Sequence, residues 1–199
     1  MLRLTQMLLA FPAVIVGLLH AGDDEKSRNR AERRLLGLET RARKISKPVE
    51  TDEVASFLLR ETQRLMERSR TVSASSYKFE RMLEAVDDLL DAREDLLAAG
   101  RDRQDRQQEE ESRADTAKRL ERAYFRVQQG EYFARLSADK QAPGYVLRSR
   151  QLYQKGRAAY DREDFKRANK LASASSELVN VLENLAQAAV RKPEPPELT

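Results

Sequence analysis

The chain has 199 residues, 35% of them charged and 40% hydrophobic, with seven glycines, six prolines and a net charge of only +4. This composition is typical of long amphipathic helices, and it excludes a chain built as a whole to coat nucleic acid. The sequence has no cysteine and a single histidine, His20, which excludes disulfides, cysteine nucleophiles and zinc sites built on histidine and cysteine.

The N-terminal segment, residues 1–22, predicts a contact with a membrane. Residues 7–19 carry no charge. Residues 4–22 are mostly apolar and would span about 28 Å as a helix, close to the thickness of a hydrocarbon core. A basic start and cleavage after Ala21 would suit a signal peptide, although Leu19 is large for that motif. The basic residues that follow favour an anchor with its body in the cytoplasm. Both alternatives stay open, beside a third in which the segment is a soluble core helix.

Residues 23–48 predict a basic helix directly after the apolar segment. Between residues 26 and 47, nine basic side chains accompany only two glutamates. Such a surface can lie against anionic lipid headgroups, which would make this helix a second membrane contact. The alternative is that it pairs with acidic neighbours, for which the carboxylate-rich stretch at 84–95 is the candidate.

Pro48 disfavours helical geometry at the residue before it, so the basic helix is expected to end there. Residues 51–100 then predict a helical hairpin. Thr51 is expected to cap the first helix of the hairpin. The small polar residues at 73–76 form the turn, and Gly100 is expected to end the second helix.

A charged connector is predicted over residues 101–118. Alanine is its only apolar residue type, and charges of both signs alternate along it. We expect a helix that projects or joins two packed units, supported by ion pairs at four-residue spacing. At the other end of the chain, the proline-rich tail at 191–199 is predicted to be disordered.

Residues 119–190 predict an aromatic-rich helical hairpin unit, since they hold eight of the twelve aromatic residues. A loop at 137–144 precedes a helix over 145–161. The acidic stretch at 161–164 turns the chain, and the last helix ends near Val190.

The turn region of this unit carries a short pattern formed by Gly156, Tyr160, Asp164, Phe165 and Ala168. The pattern resembles the middle of a tetratricopeptide repeat, over about residues 152–172. The resemblance implies a tightly closed helical hairpin of a type often used for peptide recognition. The last helix is about twice the family's length, and no second copy occurs at the 34-residue spacing, so a stacked solenoid is not expected.

The residues of this hairpin divide into two predicted roles. Gly156, Phe165 and Ala168 are expected to be structural and to close the hairpin. Tyr153, Arg157 and Tyr160 are expected to line a groove that binds a partner.

The two hairpins show a weak similarity to each other at an offset of 86–87 residues. It pairs Leu65 with Leu152 and Phe79 with Phe165. Whether the hairpins are a true duplication stays open, because amphipathic helices match easily by chance.

The sequence therefore predicts an all-α fold of long antiparallel hairpins, bundle-like or tetratricopeptide-like, joined by a charged helical connector. The predicted function is a non-enzymatic adaptor or scaffold, membrane-associated or exported, that binds another protein through the C-terminal unit; a homo-oligomer remains open. No catalytic residue, cofactor or metal site is predicted. The alternative, less favoured, is nucleic-acid binding by the basic, tyrosine-containing surface at 147–170.

Overall fold

The structure, a computed structural model, describes residues 11–45, 52–74, 76–101 and 113–190. In these segments the chain forms six α-helices and no strand, which confirms the predicted fold class. The helices are α1 (Phe11–Ile45), α2 (Glu53–Arg70), α3 (Tyr77–Arg101), α4 (Arg113–Leu136), α5 (Ala142–Tyr160) and α6 (Phe165–Ala189).

The helix starts follow simple capping chemistry. The carboxylate of Asp52 accepts hydrogen bonds from the backbone N–H groups of Val54 at 2.8 Å and Ala55 at 3.3 Å. Asp52 is therefore the N-cap of α2, and the prediction of Thr51, which lies outside the described residues, was wrong. Helix α5 was predicted to begin at residue 145, but it begins at Ala142. The earlier start is possible because Pro143 fits the first turn of a helix.

The boundaries of the predicted connector also differ from the structure. Gly100 does not end α3, which continues to Arg101, and no described glycine has the positive φ of a C-terminal glycine cap. Helix α4 already begins at Arg113, and Thr116 is fully buried, so this end of the connector is packed rather than projecting. Residues 102–112, like the predicted tail at 191–199, lie outside the described residues.

The centre of the fold is an antiparallel pair formed by α3 and α6, which make the most extensive contact between any two helices. At one end the Tyr77 hydroxyl donates to Gln187 at 3.3 Å. At the other end the Lys170 ammonium donates to Asp95 at 3.1 Å. The start of each helix thus lies beside the end of the other.

The other four helices pack around this pair. Helices α2 and α5 lie against α3 and α6 respectively and meet each other where the Phe57 and Tyr145 rings pack edge to face, 5.3 Å apart. Helix α1 packs on α3, and α4 packs on both α6 and α5. One hydrophobic core extends from Leu38 of α1 to Leu185 of α6, so the hairpin units predicted at 51–100 and 119–190 share their core.

None of the helices in the described residues is both long enough and apolar enough to cross a membrane. The predicted apolar segment, residues 4–22, falls only partly within those residues.

Candidate functional site

The C-terminal unit is closed at Gly156, where α4, α5 and α6 meet. A Cβ atom at this buried glycine would lie 3.3 Å from Cδ2 of Leu120, 3.4 Å from the Ala168 carbonyl oxygen and 3.4 Å from Cβ of Leu171. Ala168 itself is fully buried. Small side chains at these two positions therefore set how closely α5 and α6 approach.

The turn beside this junction holds Phe165 and Tyr160, whose ring centroids lie 5.5 Å apart. Glu163 adopts a left-handed conformation with φ of 60°, which brings the chain round into α6. The guanidinium of Arg113 lies over the Tyr160 ring, 5.9 Å from its centroid. Tyr160 is therefore half-buried between α6 and the start of α4.

The other two predicted partner-binding residues lie on the edge of α5 that faces α4. Tyr153 is half-buried against Leu120 and Ala172, and its ring centroid is 5.8 Å from that of Tyr124. Arg157 is exposed. The structure thus brings the two tyrosines against α4 and leaves the arginine between them in solvent.

Helix α4 carries an exposed apolar surface that the sequence analysis did not identify. It consists of Tyr124, Phe125, Tyr132 and Leu136, which are 45%, 57%, 60% and 49% exposed; we call it the α4 aromatic face. The last three are spaced by seven and four residues, which places them on one side of a helix. The sequence gives only a weak signal for this surface, because each exposed aromatic residue has an aromatic neighbour in the chain that could equally be the exposed one. Phe133, next to Tyr132, packs against the core.

Basic side chains flank the α4 aromatic face. Lys118, Arg122 and Arg135 are exposed on the same helix, with Glu121 as an acidic neighbour. Arg150 reaches across from α5 and pairs with Glu131. The combination of exposed aromatics and arginines is typical of the central part of protein interfaces.

The basic surface at 147–170 is partly neutralised within the fold. Four of its basic side chains form ion pairs: Arg148 with Glu53, Arg150 with Glu131, Lys155 with Asp52, and Lys170 with Asp95. A protein that tracks a phosphate backbone needs such cations free for the ligand. The arrangement therefore gives little support to the nucleic-acid alternative.

The acidic stretch of α3 forms ion pairs with the basic helix through Arg41. Arg41 of α1 forms ion pairs with Asp87, Asp91 and Glu94, and these hydrogen bonds hold its pKa above the ordinary value. In the described part of the chain, no group of three or more acidic or histidine side chains is arranged to hold a metal ion.

Asp88 lies in the contact between α3 and α6 and titrates unusually. Burial raises its pKa to about 7, with a further contribution from the nearby carboxylate of Glu177, although Asn184 donates a hydrogen bond to it at 2.8 Å. The native state therefore holds this proton more tightly than the unfolded chain does. The stability associated with Asp88 is complete at acid pH and is lost as pH rises from about 4 to 7.

The variant Asp88→Asn is accordingly expected to raise the free energy of unfolding at pH 8 by about 1–2 kcal/mol and to change it little at pH 4.5. Urea unfolding at both pH values measures the difference. Glu121→Gln, on an exposed site of α4, is the matched control and should behave alike at both pH values. Equal effects of Asp88→Asn at pH 4.5 and pH 8 would contradict the assignment.

Comparison of the chain with protein-family models, curated proteins and solved structures gave no significant match. The resemblance to a tetratricopeptide repeat over residues 152–172 therefore stays an interpretation of the hairpin's own residues. The most distinctive surface in the described residues is the α4 aromatic face, which lies on a closely packed three-helix unit.

Proposed function

We propose that the protein is a non-enzymatic helical adaptor or scaffold, membrane-associated or exported, whose C-terminal unit binds another protein. The observation that carries the proposal is the α4 aromatic face. Several exposed apolar side chains on one side of a helix, rimmed by polar residues, are typical of sites where proteins associate. The absence of cysteine and of any histidine besides His20 agrees with a binding role rather than a catalytic one.

The α4 aromatic face is well suited to docking because its support is rigid. The opposite side of α4 is buried through Leu120, Ala123, Val127 and Gly130. Tyr153 contacts Tyr124 from α5 and so limits its freedom. A surface that is ordered before binding loses little conformational entropy on association.

The charges around the face indicate the chemistry of the partner. Lys118, Arg122 and Arg135 on α4, together with Arg157 on α5, are exposed and basic. We therefore expect a partner segment with an apolar row of about three helical turns and acidic residues at its edges. Within the tetratricopeptide-like interpretation, Tyr153, Arg157 and Tyr160 form the α5 edge of this docking surface.

The membrane part of the proposal rests on the apolar residues 4–22. Helix α1 begins at Phe11 and continues to Ile45, so part of this segment and the basic helix belong to one helix. Cell fractionation, followed by N-terminal sequencing of the protein from the membrane pellet and from the soluble fraction, separates the alternatives. An intact Met1 or Leu2 indicates an anchor, a start at Gly22 indicates export, and recovery of the intact chain in the soluble fraction contradicts both.

The docking proposal is tested with a photo-crosslinking amino acid placed at Gln129, beside Phe125 on α4, in the full-length protein in its own cells. Phe125→Asp is expected to reduce the amount of crosslinked partner at least tenfold, because it puts a charge into the apolar contact. The fold should tolerate the change, because 57% of the native side chain is already exposed. Gln63→Asp, at an exposed site of α2, is the matched control and should leave the crosslink unchanged.

The outcomes separate the two candidate functions. Loss of the crosslink in Phe125→Asp with a native circular dichroism spectrum supports docking on α4. An unchanged crosslink in that variant contradicts it. Crosslinked nucleic acid, with binding that falls steeply as salt rises, would instead favour the alternative function.

A further inference from the structure

A pocket of about 500 Å³ lies at the end of the bundle where α3 and α5 end and α2 and α6 begin. This volume is within the range of about 300–1,000 Å³ that is usual for small-molecule sites. The pocket is at the opposite end of the C-terminal unit from Leu136, so it is separate from most of the α4 aromatic face.

The inner wall of the pocket is apolar. Leu96 and Ala99 contribute to it from α3, Ala159 from α5, and Leu171 from α6. Ala99, Ala159 and Leu171 are almost completely buried and form the base of this wall, while the half-buried Leu96 and the exposed Ala158 present its accessible apolar surface. Such a surface favours an apolar group that would otherwise be exposed to water.

The rim of the pocket carries charges, and its two carboxylates already accept hydrogen bonds within the protein. Lys155 donates to Asp52 at 3.2 Å, and the Asp164 carboxylate accepts the backbone N–H of Arg167 at 3.2 Å. Partial burial raises the pKa of Asp52, but its hydrogen bonds, that from Lys155 first, outweigh this and leave the pKa below its ordinary value. Both carboxylates therefore already accept hydrogen bonds from the protein itself.

Arg162 and Arg167 are the cations of the rim that remain for a ligand. Both line the pocket, and no carboxylate of the described residues forms an ion pair with either guanidinium. A guanidinium binds carboxylate or phosphate through parallel N–H donors, and two of them beside an apolar wall suit an anionic head with an apolar body.

We infer that this pocket binds a small amphiphile, with a carboxylate or phosphate head at Arg162 and Arg167 and an alkyl chain on the wall formed by Leu96, Ala99 and Leu171. A fatty acid and a single-chain phospholipid share this chemistry. The inference is independent of the proposed docking function, because it uses neither α4 nor the partner.

Isothermal titration of the full-length protein tests the site with three probes below their micellar concentrations: dodecanoate, dodecyl phosphate and inorganic phosphate. We expect saturable one-to-one binding of at least one amphiphile and at least tenfold weaker binding of inorganic phosphate. The double variant Arg162→Gln/Arg167→Gln should weaken amphiphile binding at least tenfold. Arg60→Gln, at an exposed site of α2 away from the pocket, is the matched control and should leave it unchanged.

A second variant tests the apolar part separately. Ala158 lines the pocket from an exposed position on α5, so Ala158→Phe should fill the cavity without removing a charge and should also weaken binding at least tenfold. This variant keeps the test valid if the arginine variant fails to fold by circular dichroism.

Each outcome decides the inference. Binding of dodecanoate alone indicates a fatty acid, and binding of dodecyl phosphate alone indicates a phospholipid. The inference is overturned if neither amphiphile binds, if binding survives in a folded arginine variant or in Ala158→Phe, or if inorganic phosphate binds as tightly as dodecyl phosphate.

Discussion

Replacing Asp139 with alanine is expected to lower the free energy of unfolding by about 2–4 kcal/mol, the largest effect that we anticipate for one residue. The side chain is only 2% exposed. Its carboxylate accepts two hydrogen bonds from Arg64, at 3.0 and 3.1 Å, and one from Arg68 at 2.7 Å. Alanine would leave both guanidinium groups without this partner while they remain partly enclosed by protein.

The contacts of Asp139 belong to a larger polar network that joins the two halves of the fold. Arg64 also donates to Glu61 at 2.7 Å, and the hydroxyl of the fully buried Tyr145 donates to the same carboxylate oxygen at 2.8 Å. Burial and the neighbouring Glu61 raise the pKa of Tyr145, so the hydroxyl keeps its proton and remains a donor. Helix α2 is thereby tied to the loop before α5 and to α5 itself.

Urea unfolding of two further variants identifies the source of the effect. Tyr145→Phe keeps the ring against Phe57 and loses only the hydroxyl, for an expected cost of about 1–2 kcal/mol. Glu67→Ala, on the exposed side of α2, should change the free energy of unfolding by less than about 0.5 kcal/mol. A loss for Asp139→Ala as small as that for Glu67→Ala would mean that the network does not join the halves.

The helices of this fold could be predicted from the sequence because each carries a local signal. The apolar period of α6, for example, places Ala168, Ala172 and Val179 on one side, and all three are fully buried. The network around Asp139 has no such signal. Arg64 lies 75 residues from Asp139 in the chain, and nothing in the spacing of either residue selects the other as its partner.

The candidate site illustrates the same limit. Periodicity shows which residues share a side of a helix, but it does not show whether a neighbouring helix covers that side. Tyr153 and Tyr160 were expected to line a groove, yet α4 packs against both of them. Phe125 and Tyr132 were grouped with the other aromatics, and only the tertiary structure shows that they face solvent.

The proposed duplication can now be compared with helix lengths. Helices α2 and α5 have 18 and 19 residues, and α3 and α6 have 25 residues each. Leu65 and Leu152, paired in the sequence comparison, are both completely buried. Hairpins of similar length are compatible with a duplication, but long helices of similar length also arise independently, so the question stays open.

The junction between α5 and α6 gives the second large expected effect. Ala168→Leu should lower the free energy of unfolding by about 1–3 kcal/mol, because the larger side chain must enter a contact in which Ala168 is already fully buried. The backbone of Ala168 already lies close to α5, since a Cβ atom added at Gly156 would be 3.4 Å from the Ala168 carbonyl oxygen. Arg157→Glu changes an exposed side chain one residue beyond Gly156 and should leave stability within about 0.5 kcal/mol of the native value while weakening partner capture.

Urea unfolding measures the stability of both variants, and the photo-crosslink at Gln129 measures partner capture. If Arg157→Glu unfolds the chain, or if Ala168→Leu is neutral, then the division of this hairpin into a packed junction and an exposed edge is wrong.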